Sequence, residues 1–178
     1  MSRLIASLIV LLLFSCSFVI AQEIKVVEPQ VIGIIYYFDS ANNKLVDLQR
    51  ETARVKGKVK ALGLGGAKSI AELKGTKSSV RLSANQPLEF VIQLANGVDP
   101  NRVQLYLFEI KKDKRESILG KETMLSSEAG TGRIQINVMK HGQSSYKIVA
   151  AKNLIPGEYA FSVNDSYDAF SFGVDPPQ

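Results

Sequence analysis

Two apolar stripes of period two, joined by a polar turn, lie near the end of the chain and leave it little choice but to form sheet. Tyr159, Phe161 and Val163 alternate with Glu158, Ala160 and Ser162, and Phe170, Phe172 and Val174 repeat the pattern after Asn164-Asp165-Ser166-Tyr167-Asp168. Successive side chains of a strand point to opposite faces, so each stripe is the buried side of a strand. Residues that bond their own backbone fill the intervening segment, which predicts an antiparallel hairpin. A hairpin alone is marginal in water, so the rest of the chain must provide a second layer.

The sequence offers strand after strand for that purpose. Residues 33–38 and 44–48 flank the turn Asp39-Ser40-Ala41-Asn42-Asn43 as a first hairpin, and 88–94 and 103–110 are rich in β-branched and aromatic residues. The run 103–110 is almost continuously apolar and is expected to be central in its sheet. Weaker strand signals cover 67–73, 79–83 and 116–125; residues 126–132 read as a loop, and 134–138 and 144–150 as further strands. No long amphipathic helix and no fixed-period repeat interrupts them. The expected fold class is all-β, an antiparallel sandwich whose core takes Tyr36, Phe38, Phe90, Ile92, Leu105, Leu107, Ile136, Ile148, Tyr159, Phe161 and Phe172 or their near neighbours.

Leu154, Pro156, Gly157 and Tyr159 keep a Leu-x-Pro-Gly-x-Tyr spacing that resembles the tyrosine corner of immunoglobulin-like and fibronectin type III sandwiches. The resemblance implies an immunoglobulin-like topology in which Tyr159 pins the turn before its strand. The chain has no Trp and one Cys, so the core disulfide and Trp of antibody domains are missing. The segment from Pro156 to Asp175 also resembles the close of a group of uncharacterised secreted bacterial proteins, a likeness that brings no activity with it.

Met1-Ser2-Arg3, the apolar run 4–14 and small residues before a cut after Ala21 form a secretory signal. The expected organisation is a signal peptide over 1–21, an extended leader over 22–31 and one sandwich domain over 32–178, secreted or periplasmic. Two alternatives stand beside this: an uncleaved membrane anchor, and a lipoprotein acylated on Cys16, since Leu13-Phe14-Ser15-Cys16 resembles a lipoprotein box. A membrane is a partner only in those two cases. Either cleavage leaves no free thiol or disulfide in the folded domain, so stability must come from the core.

Residues 52–62 alternate strictly, with Arg54, Lys56, Lys58 and Lys60 on one side and Ala53, Val55, Gly57, Val59 and Ala61 on the other. A strand would carry the four cations in one line. They are the candidate binding residues, suited to an anionic envelope polymer or an acidic protein; the same pattern also suits a solvated face or an edge strand guarded by lysine.

Catalytic material is sparse. His141, the one histidine, sits in a turn-like segment and reads as exposed; Cys/His zinc sites and thiol catalysis lack ligands and nucleophile. Gly63, Gly65 and Gly66 lack the flanking pattern of a phosphate loop, and Asp165, Asp168 and Asp175 lack calcium-loop spacing. Nothing in the sequence names a cofactor, a metal or a nucleic-acid motif. The expected function is that of a non-enzymatic binding or structural module. The alternatives are an extracytoplasmic hydrolase whose carboxylates meet only in the fold, and a structural subunit of an envelope assembly.

Overall fold

A computed structural model describes residues 26–59, 67–122, 127–164 and 166–177. Residues 1–21 with Cys16, the start of the leader, Lys60, the glycines at 63, 65 and 66, and Asp165 lie outside the described residues.

The strands in chain order are β1 (Ile35–Asp39), β2 (Lys44–Asp47), β3 (Gln49–Thr52), β4 (Arg54–Val59), β5 (Ala67–Lys74), β6 (Arg81–Ser83), β7 (Glu89–Gln93) and β8 (Val103–Lys111). They continue as β9 (Lys114–Glu122), β10 (Ser127–Ala129), β11 (Arg133–Ile134), β12 (Ile136–His141), β13 (Ser145–Ala150), β14 (Gly157–Val163) and β15 (Asp168–Asp175). A five-stranded sheet runs β12-β13-β7-β1-β2, and a larger sheet runs β3-β15-β14-β8-β9-β5-β4. The fold is an all-β sandwich with antiparallel sheets, and the larger sheet curls into a half-barrel. Among the described residues two contacts depart from the antiparallel rule: β6 adds to β15 in parallel, and Ile32 bridges Gln93 in parallel. Among the described residues no helix is long and apolar enough to cross a membrane.

The hairpin at the end of the chain sits where its alternation requires. β14 and β15 pair from Gly157↔Val174 to Ser162↔Ala169, and Tyr159, Phe161, Phe170, Phe172 and Val174 all face the sandwich core. Phe90 from β7 closes the gap between the sheets, its ring 4.8 Å from both Phe161 and Phe172. Such ring pairs add about 0.5–1.5 kcal/mol beyond the area they bury. Tyr159 lies stacked 5.5 Å from Phe172 and donates its hydroxyl to the Ile155 carbonyl at 2.8 Å, tying the Pro156-Gly157 turn to the strand it precedes. Leu154 is half-buried against the core and Pro156 is exposed.

Three details differ from the sequence expectation. In β1 the buried residues are Ile35 and Tyr37, while Tyr36 and Phe38 are half-buried; both faces of this strand carry large apolar side chains, so alternation alone does not choose between them. The alternating run 133–138 serves both sheets, since Arg133 and Ile134 pair with β8 and the chain after Gln135 pairs with β13. The segment read as a loop over 126–132 contains β10, which pairs with β9.

His141 ends β12 half-buried, its ring 5.7 Å from Phe38 and its Nε2 3.1 Å from the Val27 carbonyl, which corrects the reading of an exposed turn histidine. The leader is anchored beside it. Glu28 accepts hydrogen bonds from the Gln143 and Ser144 backbone N–H at 2.8 and 2.9 Å and from the Ser144 and Ser145 hydroxyls at 3.0 and 2.6 Å. These donors, Ser145 foremost, hold its carboxyl at about 2 against an ordinary 4.5. A carboxylate whose folded pKa is depressed stabilises above its unfolded pKa and loses that contribution as pH falls toward the folded value. Amide exchange at Gln143 and Ser144 is therefore expected to accelerate at least tenfold, relative to the intrinsic rate, between pH 5 and pH 2, and Glu28→Ala should abolish that pH response. Unchanged protection across this window would remove Glu28 as the anchor.

Candidate functional site

The feature of the molecule most suited to a ligand is the inside of the curled sheet. On β14 and β15 the residues facing away from the sandwich core are Glu158, Ala160 and Ser162, and Ala169 and Ser171; on β8 they include Gln104, Tyr106 and Phe108. β9, β5 and β4 bend back over this face, and Ala71, Leu73, Tyr106, Phe108, Ala160 and Ala169 form a second apolar cluster, with Ala53 and Leu119 packed against it. Four of these eight residues are alanine. A core filled to ordinary density would use larger side chains there, so the small ones leave an open trough of about 290 Å³, near the lower end for small-molecule sites. Val55, 42 % exposed, and Tyr167, 64 % exposed, stand at its mouth with Ser166 and Asp168.

The closure of the trough has a simple topological cause. β3 and β4 are separated by Ala53 alone, and they form opposite edges of the sheet: β3 pairs with β15 and β4 with β5. A single bent stretch of chain thus supplies both edges, and the Ala53 N–H donates to the Tyr167 carbonyl at 2.7 Å where the two meet. The segment 49–52, between the first hairpin and the basic strand, contributes one of those edges.

Polar groups plug the end of the half-barrel remote from the mouth. Arg115, fully buried, points its Nη2 at both oxygens of Glu51, 2.8 and 2.9 Å away, donates to the Gly75 and Lys74 carbonyls, and lies 3.6 Å from Glu158. Glu158, 5 % exposed, also accepts from the Ser78 N–H at 2.7 Å and from Arg81, which in turn binds Asp175. Ser171 donates to Glu51. The fold therefore does bring two carboxylates together, as the hydrolase alternative requires, but both are committed to guanidinium groups and neighbouring hydroxyl or backbone donors. Sequence reading misses this cluster because Glu51, Arg115 and Glu158 are far apart along the chain and each looks like an ordinary polar residue of a strand.

The candidate cations are on β4, the wall beside the mouth, but on its outer side. Across the β4–β5 ladder Arg54 stands opposite Glu72, Lys56 opposite Ile70, and Lys58 opposite Lys68; Lys68 in turn stands opposite Lys121 of β9. Lys56 is ion-paired with Glu72 at 2.6 Å, and Lys114 shares that carboxylate at 2.5 Å. Lys114 and Lys56 together hold the Glu72 carboxyl down at about 2. Arg54 and Lys58 are exposed and have no ion-pair partner among the described residues. The four-cation line is thus divided: Lys56 is neutralised, Arg54 and Lys58 are available, and Lys60 lies outside the described residues.

No group of three or more His, Cys, Asp or Glu side chains able to hold a metal occurs among the described residues. No family model, no curated protein and no solved structure matches the chain.

Proposed function

We propose that the protein is a non-enzymatic binding module of the secreted or envelope-associated kind, and that it takes up an apolar group in the trough of its curled sheet. The observation that carries this reading is the open alanine-floored trough with Val55 and Tyr167 exposed at its mouth. An interior that was only structural would be filled, because unfilled apolar space forfeits dispersion contacts and costs stability. The commitment of Glu51 and Glu158 to arginine supports binding over hydrolysis. The signal-like start of the chain and its resemblance to secreted bacterial proteins support a location outside the cytoplasm, free or, in the alternative, tethered through Cys16.

The test is titration with N-phenyl-1-naphthylamine, a neutral dye that fluoresces in apolar surroundings. Saturable one-to-one binding is expected, weakened at least tenfold by Ala160→Phe, which fills the floor, and by Val55→Glu, which places a charge on the rim. Val55 is partly exposed, so its replacement should leave the fold intact even if Phe at position 160 overpacks the interior. Saturable binding unaffected by Val55→Glu, or no binding at all, would dismiss the reading.

A further inference from the structure

The trough lies beside an unusual strand edge. β4 ends the larger sheet, paired with β5 on one side, and among the described residues no strand pairs with its other side, which leaves a row of backbone donors and acceptors at the mouth of the trough. Gly57 is exposed there, and a methyl group added to it would touch nothing within 4 Å, so the face of the strand beside the trough is open at that point. A bare edge of this kind is a template for strand addition. The side chains along it already separate by face. Val55 points toward the trough, while Arg54 and Lys58 point outward with no ion pair of their own among the described residues: the Glu72 across from Arg54 is taken by Lys56 and Lys114, and Lys58 is set directly opposite Lys68. Like charges across a ladder repel, so this row is left awaiting negative charge.

We infer that the free edge of β4 accepts an extended acidic peptide segment of a partner protein as an added strand, with acidic side chains beside Arg54 and Lys58 and apolar ones turned into the trough. This rests on the trough reading above for its apolar half. A second copy of the chain is a poor occupant, because pairing two β4 edges would bring their cations together. A flexible anionic polymer would satisfy the charges but would leave both the backbone row and the apolar rim unused.

The experiment is selection of nine-residue peptides from a random displayed library on the full chain, followed by synthesis of the enriched sequences. Alternating acidic and apolar residues are expected in the consensus. The bound peptide should slow amide exchange within 54–58, and Arg54→Glu with Lys58→Glu should weaken it at least tenfold at constant salt. Both side chains are exposed, so the doubly substituted protein should keep its circular dichroism spectrum. Absence of enrichment, a consensus without the alternation, or unchanged exchange in 54–58 would overturn strand addition; so would heparin binding that matches the peptides in affinity and in its effect on exchange. The two readings fail separately. If the dye binds in the trough and no peptide protects 54–58, only strand addition falls, whereas a peptide that protects 54–58 while the dye does not bind removes the trough and leaves the edge.

Discussion

Replacement of Arg115 by methionine is expected to destabilise the protein by about 3–5 kcal/mol, the range for removing one partner of a buried ion pair. Methionine matches the volume of the arginine stem and makes no hydrogen bond. Glu51 would lose both contacts from Nη2, the Gly75 and Lys74 carbonyls would lose their donor, and Glu158 would lose a nearby positive charge while retaining Ser78 and Arg81. The cost is therefore mainly that of a carboxylate left in a site with little water. A second substitution, Glu51→Gln in the Arg115→Met background, removes that orphaned charge and should restore part of the loss, whereas alone it should be destabilising. Urea denaturation of the three variants measures both quantities. A loss below about 1 kcal/mol for Arg115→Met would mean that water reaches the plug and the pair behaves as a surface one.

Gly130→Ala is the second large effect, and its origin is steric. The ladder between β8 and β9 runs from Glu109↔Glu116 to Lys111↔Lys114; beyond it β10 pairs with β9 and β11 with β8, so the segment joining them is wedged between the two strands. A β-carbon built on Gly130 would lie 1.7 Å from the Ile118 carbonyl oxygen and 2.4 Å from its carbon. Backbone atoms of β9 must move to admit it, and the Gly130 N–H is already held by the Leu119 carbonyl at 2.9 Å. We expect a loss of about 3 kcal/mol or more, in the range of severe overpacking. The Leu107 N–H, which donates to the Gly132 carbonyl at 2.7 Å, should also exchange faster as the wedge loosens. Gly57→Ala, with open space around the new methyl, is the control and should stay within about 0.5 kcal/mol of the parent. Equal stability of the two variants would show that the wedge can yield without cost.

Local pattern carries much of this architecture. Tyr159, Phe161, Phe170 and Phe172 alternate because one side of each strand meets the other sheet, and the nearly unbroken run of β8 reflects its position between β14 and β9. Alternation fails where both faces are covered. Ala160 and Ala169 read as outward-facing in an ordinary sandwich hairpin, yet they are buried because the larger sheet folds back over them. That curl depends on which distant strands pair, and no short-range signal announces that residues 49–52 meet β15 while 54–59 meet β5. The basic side of β4 is visible in the alternation of Arg54, Lys56 and Lys58, but the loss of Lys56 to Glu72 depends on the β4–β5 register, and so does the opposition of Lys58 to Lys68.

The shared edge at Ala53 also constrains the order in which the chain can assemble. Arg50 and Asp168, joined across the β3–β15 seam at 2.8 Å, are separated by 118 positions. Hairpins such as β1–β2 and β14–β15 close within a few residues of their turns, but the half-barrel cannot shut until the last hairpin has formed and returned to an early strand. Contacts of such long sequence separation make folding slow. Made from its amino end, the chain would hold an unclosed half-barrel and a bare β4 edge for most of its emergence, since Ala160 and Ala169 of the floor come late. Lysines along such an edge disfavour its pairing with a neighbouring molecule, and on β4 they would do so while the carboxyl-terminal strands are still to come.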